Sequence, residues 1–268
     1  MKDKYRTSPE GEEGSDLSYF ELQASWGATK HFGGLKATRE LIASCHVDKD
    51  TYVLDVGCGV GTNPCYMAEV YGCRVIGVDI SEKMVEWSRK RVGRKHLEDR
   101  VEFKVADAQA LPFEDSLFDA VLCESVTAFT EDKQRVVQEY MRVVKPGGYV
   151  GLNESTWIAL PPEALIEYVY DMMARAEFLT FDGWKELLVK AGLHEVKASV
   201  YKTNTVSEWF YELQQIDIGD YMSAWLRFFR QYCGSPLFRR SANKAFKIPR
   251  SFLRIFNYLG YGIYSGRK

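Results

Sequence analysis

The sequence predicts an α/β fold, a doubly wound sheet built from stacked βαβ units, and three observations carry that prediction. From Thr51 onward, apolar runs of strand length alternate with segments of helical period, the order that a parallel sheet with crossover helices requires. The first run, Val53-Leu54-Asp55-Val56, passes directly into the turn Gly57-Cys58-Gly59-Val60-Gly61. At 268 residues the chain is long enough to bury a sizeable core as one large domain, or one domain with an elaborated lid.

Taken in order, residues 1–16 mix charges with Pro9, Gly11 and Gly14 and read as a mobile tail. Helices are expected near 17–27 and 35–45, the second starting just after Gly33-Gly34. Strands follow near 52–56, 74–79, 101–105, 118–123, 147–153 and 195–202, and helices near 62–71, 82–93, 131–143 and 182–191. The alternation then stops. Trp225, Phe228, Phe229 and Tyr232 stand at i, i+3, i+4 and i+7, and Phe252, Ile255, Phe256 and Leu259 repeat that spacing, so two amphipathic helices are expected between 206 and 259. Tyr261 to Tyr264 read as a last short strand. There is no internal repeat.

Charge is unevenly divided. Residues 221–268 hold ten Lys or Arg and no Asp or Glu, and subtracting these ten from the formal −2 of the whole chain leaves the rest at −12. The six cysteines, at 45, 58, 65, 73, 123 and 233, show neither C-x-x-C nor a zinc-like Cys/His spacing and read as free thiols in a reducing cytoplasm. No metal is expected. No basic segment followed by an apolar one opens the chain, so export through a signal peptide is not expected, and no 18-residue apolar run is present to span a bilayer.

The glycine turn opens a helix, so its free N–H groups and the positive end of the helix dipole face whatever binds there. The spacing Gly57-x-Gly59-x-Gly61 misfits the dinucleotide fingerprint, whose third glycine or alanine would stand where Thr62 does. The Walker pattern fails too, because no Gly-Lys-Ser/Thr follows. Asp55, two residues before the first glycine, suits a ligand carrying an ammonium group. Asp79 ends Val75-Ile76-Gly77-Val78-Asp79, where a carboxylate can accept both hydroxyls of a ribose; the competing reading is a helix cap, since Asp79 and Ser81 both precede the helix led by Glu82. Asp107-Ala108, after Val101-Glu102-Phe103-Lys104-Val105, offers a carboxylate and a backbone N–H to an adenine edge, although Asp at a strand end is also ordinary turn chemistry.

Together, Asp55-Val56-Gly57-Cys58-Gly59-Val60-Gly61, Val78-Asp79, Ala106-Asp107-Ala108, Leu111-Pro112-Phe113 leading to Phe118-Asp119, and Lys145-Pro146-Gly147-Gly148 resemble the class I S-adenosylmethionine-dependent methyltransferases, in particular the small-molecule group that includes quinone and sterol C-methyltransferases. The resemblance is strong over roughly 50–155 and loose elsewhere. It implies a Rossmann-like seven-stranded sheet whose last strand is antiparallel, with a helical lid inserted before that strand. It also implies S-adenosylmethionine as cofactor and S-adenosylhomocysteine as product. Gly57 and Gly59 would lie against the methionine portion, with Asp55, Cys58, Thr62 and Asn63 on the same side; Asp79 would bind the ribose. Ile80 and Met84 would flank the adenine, Asp107 and Ala108 would read its edge, and Glu124-Ser125 would sit beneath the sulfonium. On this topology 17–204 with 260–268 form the core and its N-terminal access helices, and 205–259 a lid and substrate wall. Tyr19, Trp26, Phe129 and Trp157 are the residues expected to meet the acceptor.

Methyl transfer from a sulfonium is an in-line displacement, so positioning and water exclusion supply much of the rate, and a general base is optional. His31, in the N-terminal access segment, is the first candidate base, against the plain reading of an exposed or helix-flanking histidine. Glu154, closing Leu152-Asn153-Glu154 beside Trp157, is the second, to hold an acceptor cation or take a proton, against a cap or salt bridge. His46 and His96 read as surface helix ends.

The basic, aromatic tail has three readings: apolar stripes packed on the core with Arg and Lys in water, attachment to an anionic membrane surface, or nucleic-acid binding, the last without a recognition motif to support it. The expected function is methyl transfer from S-adenosylmethionine to a small, apolar acceptor such as a quinone, phenol, sterol-like molecule or lipid precursor, by a cytoplasmic enzyme with a peripheral membrane contact through 221–268. The alternative is a cofactor-binding module without transfer chemistry, recruited to a membrane or a partner.

Overall fold

The computed structural model describes residues 16–27, 29, 31–203, 218–245 and 255–268. Helices α1 (Tyr19–Trp26) and α2 (Gly34–Ser44) precede β1 (Tyr52–Val56), α3 (Thr62–Tyr71), β2 (Arg74–Asp79), α4 (Glu82–Lys95), β3 (Val101–Val105) and β4 (Phe118–Glu124). A short 3-10 helix (Thr127–Phe129) leads to α5 (Lys133–Val143), β5 (Val144–Trp157), α6 (Glu163–Met172), β6 (Leu179–Thr180), α7 (Phe181–Lys190) and β7 (His194–Lys202). Then come α8 (Ile218–Gly234), α9 (Pro236–Ala245) and β8 (Leu259–Arg267).

The strands lie in the order β3-β2-β1-β4-β5-β8-β7, with the two-residue β6 beside the end of β5. Strands β1 to β5 are parallel, whereas β8 runs antiparallel to both β5 and β7. This is the expected Rossmann-like sheet, and β6 raises the strand count to eight. Strand alternation divides the core. Leu54, Ile76, Val121 and Leu152 pack with Tyr140 of α5 and Trp184 of α7, while Val53, Val75, Ala120 and Leu122 pack with Leu41 and Ile42 of α2.

Sequence and structure differ in places that matter for the site. Strand β5 runs to Trp157, beyond the predicted end at 153, so its last residues stand past the carboxyl edge of its neighbour β4. Helix α6 and strand β6 were not expected; α6 completely buries only Val169, and so thin an apolar face leaves little periodic signal. Strand β8 is longer than the predicted 261–264. Two helices, α8 and α9, lie between 206 and 259, whereas Leu259 starts β8 and Ile255 packs in the main core. Phe252, with 204–217 and 246–254, lies outside the described residues, as do 1–15 of the predicted tail. Asp16, placed in that tail, pairs with Arg240 and with Lys244 at 3.1 Å. Among the described residues no helix is long and apolar enough to cross a membrane, and no group of side chains has metal-ligand clustering.

Helix α1 starts at a capping box, in which Ser18 Oγ accepts from Glu21 N–H at 3.2 Å and the Glu21 carboxylate accepts from Ser18 N–H at 2.8 Å. Its inner face joins the lid: Leu22 and Trp26 pack with Trp225, Phe228 and Phe238. The access helix and the lid therefore form one layer.

Candidate functional site

The site begins at the carboxyl edge of β1, where Gly57, Gly59 and Gly61 all adopt positive φ (75°, 53° and 76°). The N–H groups of Gly57 and Cys58 both donate to Val78 O, at 2.7 and 2.9 Å, tying the turn to the end of β2. Space is as restrictive as conformation. A Cβ at Gly57 would strike Val126, and one at Gly59 would strike Thr29. Cys58 is buried behind the turn, where burial and the neighbouring carboxylates push its thiol up.

Asp79 is held by two backbone donors: Gly59 N–H at 3.0 Å on one oxygen and Ser81 N–H at 2.9 Å on the other. The cap on α4 is Ser81, whose hydroxyl accepts from Met84 N–H at 3.4 Å. The competing helix-cap reading of Asp79 thus belongs to its neighbour. Ile80, next along, is 58% exposed, an apolar side chain left in the open at the strand edge, while Met84 is buried with Val60 and Ala24. Asp107 accepts from Gln109 N–H at 2.8 Å, closing a local turn, and Ala108 is buried beside it. Thr62 Oγ accepts from Arg91 at 2.8 Å.

Three carboxylates surround the turn. Asp55 is buried, and burial, followed by the charges of Glu124 and Asp79, pushes its carboxyl well above the ordinary range. Burial also raises Asp79, against the opposing pull of its two N–H donors.

Glu124, at the end of β4, accepts from Asn63 Nδ2 at 2.8 Å, from Asn153 Nδ2 at 2.9 Å and from Thr38 Oγ at 3.3 Å. Its Oε2 also lies 3.3 Å from His31 Nδ1. Nδ1 also lies 3.2 Å from Phe32 O and 3.1 Å from Asn153 Nδ2, and Nε2 faces Thr38 Oγ at 3.2 Å. His31 is a half-buried partner of Glu124, not an exposed histidine, and the structure joins the first candidate base to the residue expected beneath the sulfonium. Ser125 follows with φ 57°, and its N–H donates to Asn153 O at 2.7 Å. Thr38 and Asn153 were missed in the sequence. Asn153 was visible next to Glu154, and strand alternation sends such neighbours to opposite faces of the sheet.

Glu154 takes the other face, which corrects its placement at an open catalytic edge. It is fully buried beneath the 3-10 helix, where Oε1 accepts from Val126 N–H at 3.2 Å and Thr127 N–H at 2.7 Å. Oε2 has no hydrogen-bond partner among the described residues. Burial pushes the carboxyl up to about 7 against those two donors. Its contacts are those of an anchor for the loop that carries Val126, the residue lying against Gly57.

The predicted aromatic residues separate into three places. Tyr19 stacks on Phe129 with ring centres 6.2 Å apart, and Phe20 meets Phe129 edge-on at 5.1 Å. Trp26 packs into the lid against Trp225 and Phe228. Trp157 lines an apolar cavity of about 250 Å³ with Leu160, Ile166, Val169 and Phe178. The cavity wall is tied to the site, since Glu177 N–H donates to Ala128 O at 2.9 Å. Neither the cavity nor its α6 wall was foreseen.

A family model described as a methyltransferase domain matches residues 54–152, the span from β1 through the core of β5 that holds the turn, Asp79, Asp107 and Glu124. Residues 54–152 carry a class I S-adenosylmethionine-dependent methyltransferase domain. The chain is 32% identical over 160 residues to a 27-O-demethylrifamycin SV methyltransferase of Amycolatopsis mediterranei, covering 59% of each chain. It is 27% identical over 207 residues to a phosphoethanolamine N-methyltransferase of Zea mays, covering 72% of this chain and 41% of that one. Among solved structures it resembles the [4+2]-cyclase SpnF, with a TM-score of 0.71 at 20% identity over 92% of this chain and 90% of that one, a likeness of fold. The chain spans between 32% and 66% of the length of the first curated relatives it matches. Its residues fit the family's cofactor on structural grounds: bare glycine backbone at a helix start, an exposed Ile80 at the next strand edge, and the acidic side chains of Asp79 and Glu124 close to the turn, suited to a ligand that carries a sulfonium and an ammonium.

Proposed function

We propose that this chain transfers a methyl group from S-adenosylmethionine to a hydroxyl or other weakly acidic group on a small, apolar acceptor. The observation that carries this reading is the grouping of Asp55, Asp79 and Glu124 around a glycine turn that tolerates no side chain. In this reading the cofactor, when bound, supplies the activated methyl group, and the protein supplies position, exclusion of water and a place for the proton. Gly57, Gly59 and Asn63 face its methionine end, Asp79 accepts its ribose hydroxyls, and Ile80, Asp107 and Ala108 meet the adenine. The Glu124–His31 pair takes the acceptor's proton. Glu124, held by Asn63 and Asn153, orients the ring through Nδ1–H, and Nε2 becomes the base once Thr38 Oγ turns away. Such a base is worth about 10²- to 10⁴-fold, beside up to roughly 7–11 kcal/mol from positioning.

The apolar character of the acceptor rests on the Tyr19–Phe129 stack and on the cavity at Trp157 and Phe178, which would seat its greasy body. Relatives are named for both kinds of acceptor, a rifamycin and phosphoethanolamine, and it is the apolar lining at Trp157 and Phe178 that favours the hydroxyl-bearing, apolar kind. The test is a screen of phenols, hydroxylated macrocycles, quinones, sterols and phosphoethanolamine for production of S-adenosylhomocysteine. Turnover with a hydroxylated apolar compound supports the proposal, and turnover confined to phosphoethanolamine would refute the acceptor class. The alternative reading is a module in which the cofactor binds and no methyl group moves. That reading predicts binding without S-adenosylhomocysteine production across the whole screen.

A further inference from the structure

Helix α8 is apolar on two sides, and only one of them is used. Its inner side carries Trp225 and Phe228, which pack on Trp26, Leu22 and Phe238. On the outer side Met222, Leu226, Phe229 and Cys233 stand at i, i+4, i+7 and i+11, which places them in one line along the helix. Met222 is 54% exposed, Leu226 66% and Phe229 57%, and Leu237 on the adjoining α9 is 39% exposed. Scattered apolar side chains on a surface need no explanation, but an aligned row of this size marks an interaction site.

Charge selects the partner. Arg230, Arg239, Arg240 and Lys244 are exposed on the same two helices, and residues 221–268 contain no acidic side chain at all. A second copy of this chain would set two basic surfaces against each other, and a nucleic acid would offer phosphate but no hydrocarbon for Met222, Leu226 and Phe229. A bilayer with anionic headgroups answers both features, with acyl chains beneath a negatively charged surface.

We propose that the outer face of α8 and α9 docks on an anionic lipid bilayer, with Met222, Leu226 and Phe229 entering the headgroup boundary and Arg230 and Arg239 meeting lipid phosphates. The same helix that packs on Trp26 would then lie on the membrane. An apolar acceptor dissolved in the bilayer would meet the enzyme on the lid side. The docking itself does not depend on the proposed chemistry.

The test is co-sedimentation of the full chain with vesicles of phosphatidylcholine alone and of phosphatidylcholine mixed with phosphatidylglycerol, at low and high salt, alongside sedimentation velocity without lipid. The expected result is binding to the mixed vesicles that weakens with salt. It should fall by more than about tenfold in Leu226→Glu/Phe229→Glu, through lost burial and added negative charge. It should fall about fivefold for each charge removed in Arg230→Gln and Arg239→Gln. Both variants alter exposed positions, so an unchanged melting temperature separates lost docking from lost folding. Full recovery in the supernatant at low salt would overturn the proposal, as would equal binding by the variants. A dimer that Leu226→Glu/Phe229→Glu dissociates would overturn it as well, by assigning the face to a second copy.

Discussion

Glu124 Oε2 lies 3.3 Å from His31 Nδ1, and the carboxylate is gripped at the same time by Asn63 and Asn153. A carboxylate fixed by two amides cannot follow the ring, so it is the ring that is oriented. This asymmetry decides what each substitution should do.

In His31→Gln, kcat should fall by about 10²- to 10⁴-fold, with the cofactor dissociation constant within a few-fold of wild type. Glu124→Gln should lower kcat comparably and also weaken cofactor binding. The double variant should lose little more in kcat than the worse single one, because the two act as a unit. Steady-state kinetics with a turned-over acceptor, plus cofactor titrations, check this; additive losses would separate the pair.

Glu154 makes a prediction about pH. Its folded pKa of about 7 exceeds the ordinary 4.5, so between those values the native state binds more protons than the unfolded state. Its contribution to stability is present in full below pH 4.5 and is lost as pH rises to about 7. Glu154→Gln keeps an oxygen to accept from Val126 and Thr127 without the ionisation. Its stability relative to wild type should therefore improve by roughly 3 kcal/mol between those pH values. Urea melts of both proteins across that range measure the difference, and parallel curves would contradict it.

The shared layer of access helix and lid predicts a local effect of Phe228→Ala. Phe228 is almost wholly buried among Trp26, Trp225 and Phe238, so truncation should cost about 3–5 kcal/mol within that layer. Hydrogen exchange should speed up in α1, α8 and α9 and stay unchanged in β1, β4 and β5. Uniform acceleration would show that the lid is not a separate unit.

Much of the fold was legible because the signals were local. Each strand before a crossover helix is a short apolar run, and Gly57, Gly59 and Gly61 announce a backbone conformation that other residues avoid. The acidic residues beside the turn were legible for the same reason, with Asp55 inside such a run, Asp79 at the end of one and Asp107 just past one. What remained hidden depended on facing. Asn153 and Glu154 are equally polar neighbours, and the extended register of β5 turns one toward His31 and the other under the 3-10 helix. The cavity depends on α6, whose single fully buried residue writes almost no pattern. Of the exposed row on α8 only Phe229 was read, and it was joined to the buried Phe228 in one aromatic stripe, because spacing alone cannot say which side of a doubly apolar helix meets the core.

The central claim is that the glycine turn and the carboxylate of Asp79 form the seat of S-adenosylmethionine, and calorimetric titration of the purified chain tests it most directly. The account predicts saturable binding at micromolar concentration. Asp79→Ala should weaken it more than about tenfold, because the ribose loses a charged acceptor. Gly57→Ala should weaken it as well, because its Cβ would meet Val126 in a left-handed backbone conformation. Absence of binding to the wild-type chain, or undiminished binding in Asp79→Ala, would contradict the claim.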